Sequence, residues 1–321
     1  MRSLSDDGRN HVQQREIAII GGGIAGLTAA LIARQIGRDT LVIDPLLGGG
    51  QLINIDRIEN YPGSEEVRGF DLGPQIAGRV MESGADFDIT TVTKLTPTDH
   101  GFELMLDRGG SVAAATVIVA VGSSVRPAGI PGEEEYHGRG VSYCGVCDGP
   151  FFSGKTVVVA GGGDSAADEA VHLANIVERV QLVFPGASLH AMAIGSGHVA
   201  AAPNIELIPE TRVTNIIGGA DGVTAVGLRH ERTGEERVLH AAGVFLYAGL
   251  QPNTAFLRGV VEMDAAGHIA TDERLDTSVP GVIAAGDIRR GSAKLLIASA
   301  GDGATAAVRA SQWLAGSGRR R

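Results

Sequence analysis

The only two cysteines of the 321-residue chain stand three positions apart, Cys144 and Cys147 in VSYCGVCDGP, residues 141–150. Thiol–disulfide exchange needs a thiolate attacker and a leaving thiol within reach of the same sulfur. The C-x-x-C spacing supplies both when it falls at a turn or a helix start, where local N–H groups also lower one thiol pKa. Two cysteines are too few to staple a fold of this size, and too few for a four-thiolate zinc site. The competing reading is a pair of small buried hydrophobes. Tyr143, Gly145, Asp148 and Gly149 around the pair are not core composition and favour redox work. A redox pair then needs an electron carrier beside it.

The elements that would hold such a carrier begin at Glu16, in EIAIIGGGIAGLTAALIARQIGRDTLVIDP. A β-branched run ends in glycines and passes into an Ala/Leu-rich helical pattern. A second apolar run, TLVID, then ends on an acid. Gly21, Gly23 and Gly26 fit G-x-G-x-x-G, where the glycines allow the tight turn, the approach of a pyrophosphate and the packing of helix on strand. The helix N-terminus adds N–H groups and a favourable dipole for phosphate. Asp44, 18 positions beyond Gly26, stands where a carboxylate accepts hydrogen bonds from a ribose 2′-hydroxyl.

The pattern returns about 140 residues later in KTVVVAGGGDSAADEAVHLANIVERVQLVFP. Gly161, Gly163 and Ala166 keep the turn and the close packing, and with Asp164 and Ser165 they are the candidate contacts for a second dinucleotide. Near the C-terminus, TSVPGVIAAGDIRRGSAKLLIASAGDGATAAVRASQWL reads as a small-residue strand, then Gly286-Asp287, then an Ala-rich helix. Taken alone, that segment is a strand and helix completing a sheet, with Asp287 capping a turn.

The length fits two domains, and 47 glycines imply many tight turns and close backbone approaches. A formal charge of −10 offers no basic field for a phosphate backbone, so no nucleic-acid partner is expected. The N-terminal MRSLSDDGRNHVQQRE lacks the apolar core of a signal peptide, and no apolar run approaches the roughly 18 residues that span a bilayer. A cytoplasmic protein with no membrane contact is expected. The C-terminal GSGRRR reads as a frayed, solvated end.

With these residues together, the sequence resembles the low-molecular-weight thioredoxin reductases, a family of flavoprotein disulfide reductases. The resemblance rests on GGGIAG, GGGQL at 48–52, IENYPG at 58–63, VGSS at 121–124, GRGVSYCGVCDG at 138–149, GGGDSAADEA at 161–170 and GVIAAGDI at 281–288. It implies an α/β fold of two Rossmann-like (FAD/NAD(P)-binding) domains, the second inserted into a discontinuous first. The boundaries it implies are 16–125 and 250–321 for the FAD-binding domain and 126–249 for a nucleotide-binding-like domain carrying the cysteine pair, with 1–15 as a flexible tail. Both crossings carry proline, in SSVRPAG and GLQPN, which suits a defined connection.

By the same resemblance, Gly21, Gly23, Gly26, Asp44, Gly122 and Gly286 hold FAD. Gln51 and Asn60 lie near the flavin, Asp287 lies at its ribityl or pyrophosphate portion, and Lys294 and Leu295 lie at its ring end. The motifs alone do not separate FAD from NAD. Cys147 would face the flavin, Cys144 would attack the protein substrate, and Asp148 would relay a proton. A homodimer and a thioredoxin-like partner are implied too.

The pattern breaks at two places. The family reads NADPH with arginines after the second strand of the nucleotide domain, because a 2′-phosphate favours charge-assisted, bidentate donors. Here that stretch is VQLVFPGASLHAMA, and no lysine or arginine occurs from Val180 to Thr211. Phe184 and Pro185 also lack the carboxylate of an NADH reader, which leaves His190 as the nearest ionisable side chain. In AKLLIASAG, 293–301, Lys294 and Leu295 replace the family's usual arginine and glutamine, removing one amide near the flavin ring.

The expected protein is therefore an FAD-dependent disulfide oxidoreductase passing electrons between flavin, Cys144/Cys147 and a thioredoxin-like protein or small dithiol. Its second nucleotide is left open among NAD(P)H, a second flavin or none, with ferredoxin a candidate donor. The alternatives are a dithiol oxidase using oxygen, a conventional NAD(P)H-dependent thioredoxin reductase, and a flavin-binding sensor without turnover.

Overall fold

The computed structural model describes residues 13–46, 48–62 and 67–316. Most of the expected tail, Gly63 of IENYPG and all of GSGRRR but its first glycine lie outside the described residues. The described chain divides into two compact units. One contains the residues up to Ile53, Arg57–Ser123 and the chain from Pro252 onward; the other contains Asn54–Asp56 and Ser124–Gln251.

In the first unit the order is β1 (Gln13–Ile20), α1 (Ile24–Gln35), β2 (Thr40–Ile43), α2 (Gly69–Glu82), β3 (Asp86–Asp88), β4 (Val92–Thr98), β5 (Gly101–Leu106) and β6 (Ser111–Val119). β1 starts three residues before Glu16, because Gln13–Arg15 already pair with Val112–Ala114 of β6. The β-branched runs IAII and TLVI are buried on both faces, as the inner strands of a covered parallel sheet are. The strand order is β3-β2-β1-β6, and the far edge of β6 is shared. Its first half pairs antiparallel with β5, and Val117–Val119 pair parallel with the late strand β17 (Val282–Ala284). The end of the chain thus rejoins the sheet that the beginning opened. Parallel strands sharing a sheet put their carboxyl ends on one side, so Gly21 and Gly286, each just beyond its strand, lie along the same edge.

α6 (Leu296–Gly316) packs on α1 through small residues, with Ala25, Ala29 and Ala30 facing Ala306, Ala307 and Ala310 in one core. Gly303 meets the Ala25 carbonyl so closely that any Cβ there would collide with it. The alanine and glycine richness of the last helix is therefore what allows its close approach.

The chain crosses to the second unit through β7 (Ser123–Val125) and returns through β16 (Leu250–Pro252), and the two crossings pair with one another. Between them run β8 (Val141–Ser142), α3 (Gly145–Asp148), β9 (Thr156–Ala160), α4 (Asp164–Ala174), β10 (Arg179–Val183), α5 (Ala193–Ala201) and β11 (Ile205–Ile208). They are followed by β12 (Thr211–Gly219), β13 (Gly222–His230), β14 (Glu236–His240) and β15 (Gly243–Leu246). Five strands form a parallel sheet ordered β11-β10-β9-β15-β8, and β12–β14 form an antiparallel meander. Val157, Val159, Leu182 and Phe245 are fully buried beneath α4. Each such side chain contributes about 1.5–3 kcal/mol by leaving water.

Candidate functional site

The cysteine pair sits where β8 ends and the single turn of α3 begins. Cys144 caps that turn, its Sγ accepting the Cys147 N–H at 3.2 Å. The two are joined as a disulfide with Cα atoms 5.3 Å apart. Cys144 is half-buried and Cys147 exposed. Ser142, buried at the end of β8, organises the turn: its hydroxyl donates to Asp148 Oδ2 at 2.6 Å and accepts the Cys144 N–H at 3.1 Å. One side chain thereby fixes the Asp148 carboxylate and the backbone of the first cysteine together.

Tyr143, between Ser142 and Cys144, is anchored separately by donating to Glu133 Oε1 at 2.7 Å. Glu133 also accepts the N–H groups of Ala128, Gly129 and Ile130. Burial alone would raise its pKa, but the Tyr143 hydroxyl and the three N–H groups together hold it below the ordinary carboxylate range.

Gly145 cannot be any other residue without rearrangement, because a Cβ there would strike Glu169 Oε2 on α4. Glu169 is 6% exposed, and burial pushes its pKa up to about 7 against the pull of the Tyr247 hydroxyl and the Gly145 N–H.

In the first unit the glycine turn divides its labour. A Cβ at Gly21 would run into the Ala120 backbone and one at Gly26 into the Gly21 carbonyl, so these two glycines serve the turn and the helix–strand packing. Gly23, by contrast, has nothing within 4 Å of its Cβ position. It caps α1 with no side-chain hydrogen bond, so no side chain claims the helix's first N–H groups. Asp44, directly after β2, accepts the Gly22 N–H at 2.6 Å and the Leu46 N–H at 2.8 Å. Burial raises its pKa more than these bonds lower it.

Gly122 adopts φ +59° beside open space, and Gln51 Nε2 donates to the Ser123 carbonyl at 2.7 Å. Asn60 is exposed. Beyond β17, Asp287 Oδ1 accepts from Ser299 at 3.0 Å and Ser292 at 3.2 Å, while the Gly286 N–H donates to Asp302 Oδ2 at 3.0 Å. Arg289 clamps the same Asp302 oxygen at 2.7 Å. Lys294 is exposed in a left-handed turn at φ +53°, with Leu295 half-buried after it.

The second unit repeats the turn with different surroundings. Gly161 and the buried Ala166 keep β9 close to α4, and a Cβ at Gly161 would press on Tyr247. Asp164 Oδ1 accepts the Met192 N–H at 2.6 Å, and the His190 N–H donates to the Gly162 carbonyl at 2.7 Å. Gly163 and Ser165 are both exposed. Phe184 is 2% exposed, and with Leu189, Val199, Leu207 and Pro209 it lines an apolar groove of about 330 Å³.

The pyridine nucleotide-disulphide oxidoreductase family matches residues 15–308. The chain belongs to that family. It is 38% identical to a thioredoxin reductase of Treponema pallidum over 93% of this chain and 97% of that protein. It is 36% identical to one of Listeria innocua, over 93% of each. The crystal structure of Lactococcus lactis thioredoxin reductase superposes with a TM-score of 0.92 at 33% identity, covering 94% of this chain and 99% of that one. The protein is a flavin-dependent, thioredoxin-reductase-like disulfide oxidoreductase with two Rossmann-like domains and FAD as its cofactor.

The residues of the first unit fit that cofactor: an uncapped helix end and open space at Gly23 for phosphate, and a carboxylate at Asp44 for a ribose. The division of labour among the glycines is testable. Gly23→Ala is expected to cost about 0.5–1 kcal/mol of apoprotein stability, as an alanine at a helix cap does, while sharply lowering flavin content. Gly26→Ala overpacks helix against strand and is expected to cost about 3 kcal/mol or more. Denaturant unfolding of apoprotein together with the flavin-to-protein ratio checks both; equal stability losses in the two variants would contradict the assignment.

Sequence reasoning missed Ser142, Glu133, Glu169, Tyr247 and Asp302. For Glu169 a signal existed: it shares the helical stripe of Ala166, Ala170 and Leu173, where a carboxylate is out of place in a buried face.

Proposed function

We propose that the protein reduces the disulfide of a thioredoxin-like partner through Cys144 and Cys147, with electrons that do not enter from NADPH in the usual way. Bound FAD would supply the two-electron chemistry. In the chain's own steps, the Cys144 thiolate attacks one sulfur of the partner disulfide and expels the other as a thiolate. Asp148, held by Ser142, supplies the proton that this leaving group takes. The Cys147 thiolate then attacks Cys144, releasing the partner's second thiol and restoring the Cys144–Cys147 disulfide. Two electrons have passed to the partner. The observation that carries this reading is the disulfide at the start of α3 with Asp148 fixed at its end.

The donor half of the proposal rests on 180–211. A 2′-phosphate calls for guanidinium partners, and this stretch offers the buried Phe184, Pro185 and an apolar groove instead. His190 is the nearest group able to carry positive charge, and we infer a weak role for it at most. Ferredoxin, or a second flavin held by Gly161, Gly163, Asp164, Ser165 and Ala166, is the alternative source. The same reading makes the protein a cytoplasmic homodimer whose domains follow the boundaries 16–125 with 250–321, and 126–249.

Anaerobic titration of the oxidised holoprotein with NADPH and then NADH, following the flavin absorption band, tests the donor. No bleaching is expected in a protein that dithionite does bleach. Rapid bleaching by either nucleotide overturns this half of the proposal and returns the protein to conventional reductases. The bare 2′-phosphate region also favours a second reading, a dithiol oxidase, for which no nicotinamide site is needed. Peroxide formed on adding a dithiol in air, faster than any partner reduction, would select it.

A further inference from the structure

Against Gly145, the residue that follows Cys144, lies a carboxyl group that the exchange steps above do not use. Glu169 projects from α4 against Gly145, the first residue of α3, close enough that a single methyl group on Gly145 would collide with Oε2. It is almost wholly shielded from solvent, and the groups that favour its ionised form, the buried Tyr247 hydroxyl and the Gly145 N–H, leave Oε2 and that hydroxyl short of a hydrogen bond of good geometry. A buried carboxyl left without a full set of partners is costly, so a group kept in this position calls for an explanation.

The charged groups facing it are acidic. Asp168 precedes Glu169 on α4, Asp56 lies in the short 54–56 stretch that packs with this unit, and both push the Glu169 pKa up. Asp148, which closes α3, acts in the same sense on the neighbouring Tyr247. His172, one turn along α4, is committed to Asp56 at 2.9 Å. Among the described residues, the largest influences on Glu169 include no guanidinium or ammonium.

We propose that Glu169 is a positioning residue for the redox pair, a buried proton-exchanging group whose protonation is coupled to the charge on Cys144 and Cys147 through Gly145 and the start of α3. This deepens the disulfide chemistry proposed above and rests on the pair being redox-active. When a dithiol reduces the disulfide, the dithiol gives up two electrons and two protons and closes to its own disulfide. The S–S bond of the pair breaks, and its sulfurs take the electrons with one or two protons. Where a thiolate remains, its negative charge lies at the start of α3, against whose first residue Glu169 packs, and the carboxyl then holds a proton that it would otherwise have released.

The direction follows from electrostatics. With the disulfide formed, burial places the Glu169 titration at about 7. A thiolate nearby moves it higher. Just above pH 7 the reduced state therefore carries one proton more than the sulfurs alone account for, and below that pH it does not. One extra proton per two electrons changes the equilibrium constant tenfold per pH unit, equivalent to about 30 mV.

The test is the midpoint potential of the pair as a function of pH, from about pH 6 to about 9, in FAD-loaded protein. Equilibration is against dithiothreitol buffers, and the state of the pair is read by thiol alkylation and intact mass. The wild-type curve is expected to steepen above about pH 7 relative to Glu169→Gln, by up to tenfold in equilibrium constant per pH unit. Tyr247→Phe removes a group that stabilises the ionised carboxylate, so its steep region should begin at higher pH. Tyr247→Phe also keeps the test open should Glu169→Gln fail to fold. Curves for wild type and either folded variant that run parallel throughout overturn the proposal. Because the buffer is a small dithiol, this result does not depend on a protein partner or a nicotinamide donor. Failure of the partner assignment would instead appear as missing thioredoxin turnover with the pH effect intact.

Discussion

Cys147→Ser is expected to abolish disulfide turnover while leaving the flavin bound. The loss should reach at least about a thousandfold, the scale on which removal of an essential nucleophile is felt. The variant keeps Cys144, whose half-buried sulfur caps α3, and keeps every residue of the first unit's glycine turn. In its reduced form Cys144 attacks a thioredoxin-like disulfide but has no neighbour to release the product. A mixed disulfide with one partner molecule therefore accumulates, visible by intact mass under non-reducing conditions. Cys144→Ser should be equally inactive and form no such adduct. If Cys144→Ser gave the adduct and Cys147→Ser did not, the two sulfurs would have the opposite roles. Turnover retained in Cys147→Ser would reject the pair as the redox centre.

Asp148→Asn is expected to lower the rate of partner reduction by about 10²–10⁴-fold, the range for a positioned general acid. The asparagine keeps the size of the side chain and can still hydrogen-bond Ser142 through its amide oxygen, but it has no proton of suitable acidity to give. Stopped-flow reoxidation of the prereduced protein by a thioredoxin disulfide isolates the step. Ser142→Ala is expected to give a rate between those of Asp148→Asn and wild type, because the carboxylate remains but loses a charge-assisted bond of about 1.5–3 kcal/mol. An Asp148→Asn protein that reoxidises at the wild-type rate would mean that solvent supplies the proton.

The sequence by itself determined the chemistry available. Cys144 and Cys147 are the only thiols, so no other redox pair exists within the chain. The runs around Gly21–Gly26 and Gly161–Ala166 determined two strand–turn–helix units, since a β-branched run, a glycine turn and an alanine-rich helix satisfy local propensity and backbone geometry within thirty or so residues. The stretch 180–211 showed its lack of cations directly, because composition needs no fold to be read.

Only the tertiary structure decided which of these residues keep company. The pairing of Val282–Ala284 with Val117–Val119 sets Gly286 and Asp287 on the sheet edge that Gly21 also borders, although most of the chain separates them in sequence. It also separated Gly26, which packs, from Gly23, which leaves room. It brought Glu169 and Tyr247, distant in sequence from the cysteines, beneath Gly145, and Glu133 to Tyr143. Motifs record local backbone needs, whereas burial, and the pKa values that follow from it, depend on what the rest of the chain stacks above a residue.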